Sequence, residues 1–160
     1  IDPKKIGIMG FSAGGHVAAS ASTLYGYNAY EPSDNISARP DFSILIYGVL
    51  TMRGYNAHSN SKKNLLGEKP DTALVEMFSL ESQVNDKTPP TFLVHAANDS
   101  TVPVAGSIQY FSALKKHSVP AELHVYETGG HGFGLARDRK TEAGWTQACI
   151  NWMKMHGLIR

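Results

Sequence analysis

Short apolar runs alternate along the chain with longer segments whose apolar residues recur at helical spacing. Lys5 to Met9, Phe42 to Tyr47, Thr91 to Ala97 and Ala121 to Glu127 read as strands, punctuated by Pro40-Asp41, Gly48 and Pro89-Pro90. Between and after them lie helix candidates: Ala13 to about Leu24, about Thr72 to Phe78 with Asp71 as N-cap, Val104 to Lys116, and about Glu142 to Met155. The first is rich in alanine and serine, which lets it lie close on a sheet. Val104, Ile108 and Phe111 mark the expected inner face of the third, and Trp145, Ala148, Cys149 and Trp152 that of the last. Strands separated by helices predict an α/β class: a mostly parallel sheet of about four strands flanked by helices, joined by right-handed crossovers in one domain spanning residues 1–160. The stretch Thr51 to Lys69 is polar and irregular, and is expected to form a lid or pocket wall.

Composition narrows the class only a little. With 42% hydrophobic and 18% charged residues, the 160-residue chain can bury a core of its own. A net charge of +1 gives no reason to expect nucleic acid or an anionic membrane as partner, and no apolar run approaches a membrane span. Cys149 is the one cysteine, which excludes an internal disulfide and suits a packed core thiol. Sequons at Asn35 and Asn98 are read as coincidental, the second because it overlaps a residue assigned to chemistry. Lys62-Lys63 and Arg137 to Lys140 read as solvated surface.

The chemistry starts at Gly10-Phe11-Ser12-Ala13-Gly14, a G-x-S-x-G elbow between a strand and a helix. In so tight a turn the serine takes a strained backbone conformation, and side chains two residues either side of it are expected to collide, hence Gly10 and Gly14. The helix N-terminus then aims its N–H groups at the serine, and the Ala13 N–H is placed to hold an oxyanion. A serine nucleophile needs a base, and the base needs an orienting acid. In an open parallel sheet such groups gather beyond the carboxyl ends of the strands. Asn98-Asp99 follows the third strand and Gly129-Gly130-His131-Gly132 follows the fourth. Asp99 is therefore the expected acid and His131 the expected base, with Glu127 as the runner-up acid. His16, one helical turn past Ser12, and Tyr47 are expected to contact substrate. His95 reads as a buried polar residue inside its strand. The remaining histidines show no metal-ligand spacing, so no metal is expected.

The motifs Gly-Phe-Ser-Ala-Gly-Gly-His (10 to 16), Thr-Pro-Pro-Thr-Phe-Leu-Val-His (88 to 95), Asn-Asp-Ser-Thr-Val-Pro (98 to 103) and Gly-Gly-His-Gly-Phe-Gly (129 to 134) together resemble the α/β-hydrolase serine esterases. The closest group is the acetylxylan-esterase-like carbohydrate esterases, often labelled xylanase-like. The resemblance implies Ser12, Asp99 and His131 as a triad in the expected chain order. It implies hydrolysis of short acyl esters, acetyl above all, on plant polysaccharide or sugar, without a cofactor. A secreted or periplasmic location would go with that substrate. It covers nearly the whole chain but only the C-terminal portion of the family's fold. Members carry earlier strands and a His-Gly-Gly type loop that supplies a second oxyanion N–H. The strand Lys5 to Met9 is thus expected to be an open edge that pairs with an N-terminal half of the same hydrolase or with a second copy. Two other readings stand beside this one: a serine peptidase of the prolyl-oligopeptidase type, and a non-catalytic fragment acting as an association module.

Overall fold

The computed structural model describes residues 2–27, 36–136 and 141–160. The Asn35 sequon and the run Arg137 to Lys140 lie outside the described residues. Four strands, β1 (Gly7–Phe11), β2 (Phe42–Ile46), β3 (Thr91–Ala96) and β4 (Ala121–Tyr126), pair in parallel in the order β1-β2-β3-β4. The helices are α1 (Ala13–Thr23), α2 (Ser59–Leu66), α3 (Thr72–Met77), α4 (Ala105–Lys116) and α5 (Trp145–Met155). Asp71 caps α3, its carboxylate accepting from the Ala73 N–H at 2.7 Å.

The central strands bury both faces, which is why they read as unbroken apolar runs. Leu45 and Leu93 face one side with Ala18 and Ala19 of α1 and Tyr110 and Leu114 of α4. Ile44, Ile46, Phe92 and Val94 face the other with Trp145, Cys149 and Trp152 of α5. Burial and the nearby Glu122 carboxylate push the Cys149 thiol up to about 11, as fits a core thiol.

Two expectations need correction. The buried face of α4 is Gly106, Ser107, Tyr110 and Leu114, while Ile108 is 45% exposed. The spacing of Val104, Ile108 and Phe111 found a helix but chose a neighbouring stripe, because the small Gly106 and Ser107 carry no hydropathy signal where the helix comes closest to its support. The first strand also starts later than Lys5. The Ile6 N–H is taken by the Asp41 carboxylate at 2.8 Å, and Lys5 reaches the Gly157 carbonyl at 2.6 Å, so the ladder opens at Gly7 opposite Phe42. The strand consequently runs up to Phe11 and delivers the chain directly to Ser12. As expected, β1 forms an edge of the described sheet, with Met9 48% exposed.

Candidate active site

All three chemically suspect side chains leave the carboxyl end of the sheet, Ser12 after β1, Asp99 after β3 and His131 after β4. Ser12 has φ 52 and ψ −120, a backbone state that only surrounding structure can hold. That structure is β2 and the segment after it: the Ser12 N–H donates to the Ile46 carbonyl at 3.0 Å, and its own carbonyl accepts from Val49 at 3.2 Å and Gly15 at 3.0 Å. A Cβ on Gly10 would sit 2.0 Å from the Gly14 carbonyl oxygen, so this glycine is obligatory. Gly14 is different, for a Cβ there would meet nothing within 4 Å. The second steric requirement falls on Gly15, whose Cβ would lie 2.6 Å from Gly48 Cα where α1 crosses the end of β2.

A continuous hydrogen-bond chain joins the three groups. Ser12 Oγ lies 2.8 Å from His131 Nε2, and His131 Nδ1 lies 2.8 Å from Asp99 Oδ2. The carboxylate accepts, so Nδ1 carries the proton and Nε2 is left to accept from the serine hydroxyl. The other Asp99 oxygen takes the N–H groups of Thr101 and Val102, both at 2.9 Å. Burial alone would raise the Asp99 pKa. The bonds from His131, Val102 and Thr101 outweigh it and hold the carboxyl below its ordinary value. Glu127, the runner-up acid, is exposed and takes no part. The loop bearing His131 curls through Gly129, Gly130, Gly132 and Gly134 at positive φ, and Asn98 braces it by accepting the Gly130 N–H at 2.9 Å.

His95 is the participant that its position inside a strand conceals. It is fully buried, its Nε2 lies 3.2 Å from Asp99 Oδ2 and 3.0 Å from the Val102 carbonyl, and its Nδ1 lies 2.8 Å from Ser107 Oγ. Carbonyl and carboxylate can only accept, so Nε2 is the protonated nitrogen and Ser107 donates to Nδ1. Burial lowers the His95 pKa more than Val102 and Asp99 raise it, which keeps the ring neutral. The spacing of His95 and Asp99, four residues across the end of β3, was the available signal.

The other expected residues are placed as follows. Ala13 opens α1 and is exposed, so its N–H has no intrahelical acceptor. His16 is buried and bonds through Nδ1 to the Val49 carbonyl at 2.8 Å; burial depresses its pKa, and its Nε2 has no partner among the described residues. Ala13 and His16 share the wall of a cavity of about 300 Å³ with Val49, Met52, Asn64 and Leu65. The polar stretch 51–69 therefore supplies pocket wall, and part of it is the helix α2. With no buried residue, α2 has no apolar stripe to announce it. Tyr47 is 4% exposed, and its hydroxyl accepts the Gly134 N–H at 3.1 Å while its ring edge meets His131 at 5.1 Å. Its contacts support the histidine loop from behind. No group of three or more His, Cys, Asp or Glu able to hold a metal ion occurs among the described residues.

Comparison with known proteins adds a lineage to this geometry. A family model described as the prolyl oligopeptidase family matches residues 1–157. Endo-1,4-beta-xylanase B of Butyrivibrio fibrisolvens is 42% identical over 149 residues, which is 91% of this chain and 23% of that protein. An acetylxylan esterase of Xylanibacter ruminicola is 37% identical over 158 residues, 96% of this chain and 31% of the esterase. The solved acetyl ester-xyloside bifunctional hydrolase from Caldicellulosiruptor lactoaceticus superposes with a TM-score of 0.94 at 45% identity, over 100% of this chain and 60% of that one. The chain thus spans 23% and 31% of the two curated relatives. The architecture is the α/β-hydrolase fold expected from the sequence, seen over its C-terminal part.

Proposed function

The chain belongs to the prolyl oligopeptidase family, and from that premise we propose that it carries the nucleophile, base and acid of a serine hydrolase acting on short acyl esters. The observation that carries this reading is the unbroken chain from Ser12 Oγ through His131 to Asp99, with both links at 2.8 Å. Ser12 Oγ attacks the ester carbonyl carbon while its proton passes to His131 Nε2. The carbonyl oxygen becomes an oxyanion facing the Ala13 N–H. The C–O bond to the alcohol breaks, and the alcohol leaves with the proton from His131. Water then attacks the acyl-Ser12, giving its proton to Nε2; Ser12 Oγ leaves with that proton and the carboxylic acid is released. Asp99 stays ionised throughout, holding the Nδ1–H tautomer and stabilising the imidazolium.

The substrate we propose is an acetyl or similarly short ester on a plant polysaccharide or sugar, following the acetylxylan esterase and acetyl ester-xyloside hydrolase among the relatives. The mainly apolar cavity beside Ala13 suits a small acyl or alcohol group. The family's name favours a second reading, a peptide amide as substrate. Turnover of 4-nitrophenyl acetate against a peptide 4-nitroanilide separates the two. Ester cleavage that disappears in Ser12→Ala supports the proposal; amide cleavage without ester preference supports the peptidase.

A further inference from the structure

A second cavity, about 460 Å³, is lined by Arg53, Gly54, Tyr55, Asn56, Glu81 and Gln109. Its chemistry is unlike that of the cavity beside Ala13. Tyr55 is 93% exposed on a short helical turn, Gly54–Asn56, entered through Gly54 at positive φ. Its ring face is therefore free to stack against a ligand in the cavity. Glu81 presents the complementary feature. One of its oxygens, Oε1, accepts from Thr51 Oγ1 at 2.9 Å and faces the Arg53 guanidinium at 3.8 Å. The other, Oε2, is buried without a hydrogen-bond partner among the described residues. The carboxylate is thus fixed in direction and contributes a held negative charge to the cavity wall. Arg53 Nε and Nη2 are engaged with the Glu76 carboxylate, while Nη1 stands 3.8 Å from Glu81 Oε1 as the guanidinium nitrogen left to donate.

An exposed aromatic face, a guanidinium nitrogen and two side-chain amides in one cavity match a ligand that is apolar on one face and rich in hydroxyls at its edge. We infer that this cavity is a glycan-binding subsite, in which one sugar ring lays its C–H face on Tyr55 and a ring hydroxyl accepts from Arg53 Nη1. Asn56 and Gln109 contact the flanking hydroxyls. The subsite adjoins the ester site through consecutive residues, since Met52 lines the cavity beside Ala13 and Arg53 lines this one. A chain held here would bring a neighbouring substituted sugar toward Ser12. The inference rests on the reading above for where the ester lies, but not for the binding itself.

The test uses the protein at its full expressed length, as wild type and as Tyr55→Ala, a surface change that leaves the core intact. With acetylated xylo-oligosaccharide as substrate, Tyr55→Ala raises KM about five- to ten-fold with kcat unchanged. With 4-nitrophenyl acetate, which has no sugar to stack, kcat/KM stays at the wild-type value. Equal KM values for wild type and variant on the oligosaccharide overturn the subsite. Calorimetric titration with unacetylated xylo-oligosaccharide reads binding without turnover. If neither ester is cleaved but binding is lost in Tyr55→Ala, the subsite stands and the esterase reading falls. If both esters are cleaved and binding is absent or independent of Tyr55, the esterase reading stands and the subsite falls.

Discussion

His131 and His95 address the same oxygen of Asp99, the first from 2.8 Å through Nδ1 and the second from 3.2 Å through Nε2. One histidine is partly open to the reaction centre and the other is sealed in the core. His95 is thus a positioning residue: it fixes the carboxylate from behind while Ser107 fixes His95. Replacing it with leucine should lower kcat about ten-fold or more with little change in KM, counted per site titratable by fluorophosphonate. Loss of the N–H also leaves more negative charge on Oδ2 for the imidazolium, so the acid limb of the rate profile should move to higher pH. His95→Gln, which retains an N–H, should restore part of both effects. A drop in titratable sites with an unmoved acid limb would reduce His95 to a packing residue.

Below neutrality the rate should fall, because His131 must be neutral to accept the serine proton. Asp99 cannot cause that fall, since its pKa is held below the ordinary carboxylate value and it remains charged across the range. Asp99→Asn should therefore lower kcat by about three to four orders of magnitude without unfolding the protein. A profile flat from pH 5 to 8 in the wild type would remove His131 from the role of base.

Stability should follow pH for a separate reason. His16 and His95 both have pKa values lowered by burial, so the unfolded chain binds more protons than the folded one once pH drops below the ordinary histidine value of 6.5. Stability from these groups is complete above that value and declines as pH falls through it. The Asp99 contribution has its own window: it is present above the ordinary carboxylate pKa of 3.8 and is lost as pH falls further through the depressed folded value. Urea midpoints measured between pH 8 and 5 should decrease, and His16→Phe should flatten the slope. Midpoints that rise toward pH 5 would mean that these rings are charged in the folded state.

The elbow makes a sharper distinction than its motif. Gly10→Ala drives a Cβ into the Gly14 backbone and should abolish folding or activity, whereas Gly14→Ala meets open space. The latter, in the first turn of α1, should leave thermal stability unchanged or raise it by up to about 1 kcal/mol. Thermal melts of the two variants decide the point, and a collapse of Gly14→Ala equal to that of Gly10→Ala would contradict the geometry.

That contrast also shows what the sequence could and could not convey. The parallel sheet was legible because Phe42–Ile46 and Thr91–Ala96 bury both faces and so carry an unbroken apolar signal. Ser12, Asp99 and His131 stood out because each lies in the segment that follows a strand. The requirement for Gly15 was not legible, since it depends on Gly48 arriving from another strand. Tyr47 looked available for substrate because hydropathy does not show that it is 4% exposed, its ring packed between His131 and Phe133. The tie between His95 and Asp99 was hidden because a strand interior predicts burial without naming what the buried group faces.

The central claim is that Ser12 is activated by His131 and Asp99, and covalent labelling tests it most directly. The protein is exposed to a fluorophosphonate at neutral pH, its intact mass is measured, and the adduct is located by peptide sequencing. We predict one adduct per chain on Ser12, lost in Ser12→Ala and slowed by orders of magnitude in His131→Ala. A folded protein that takes no label, or takes it on another residue, would contradict the account.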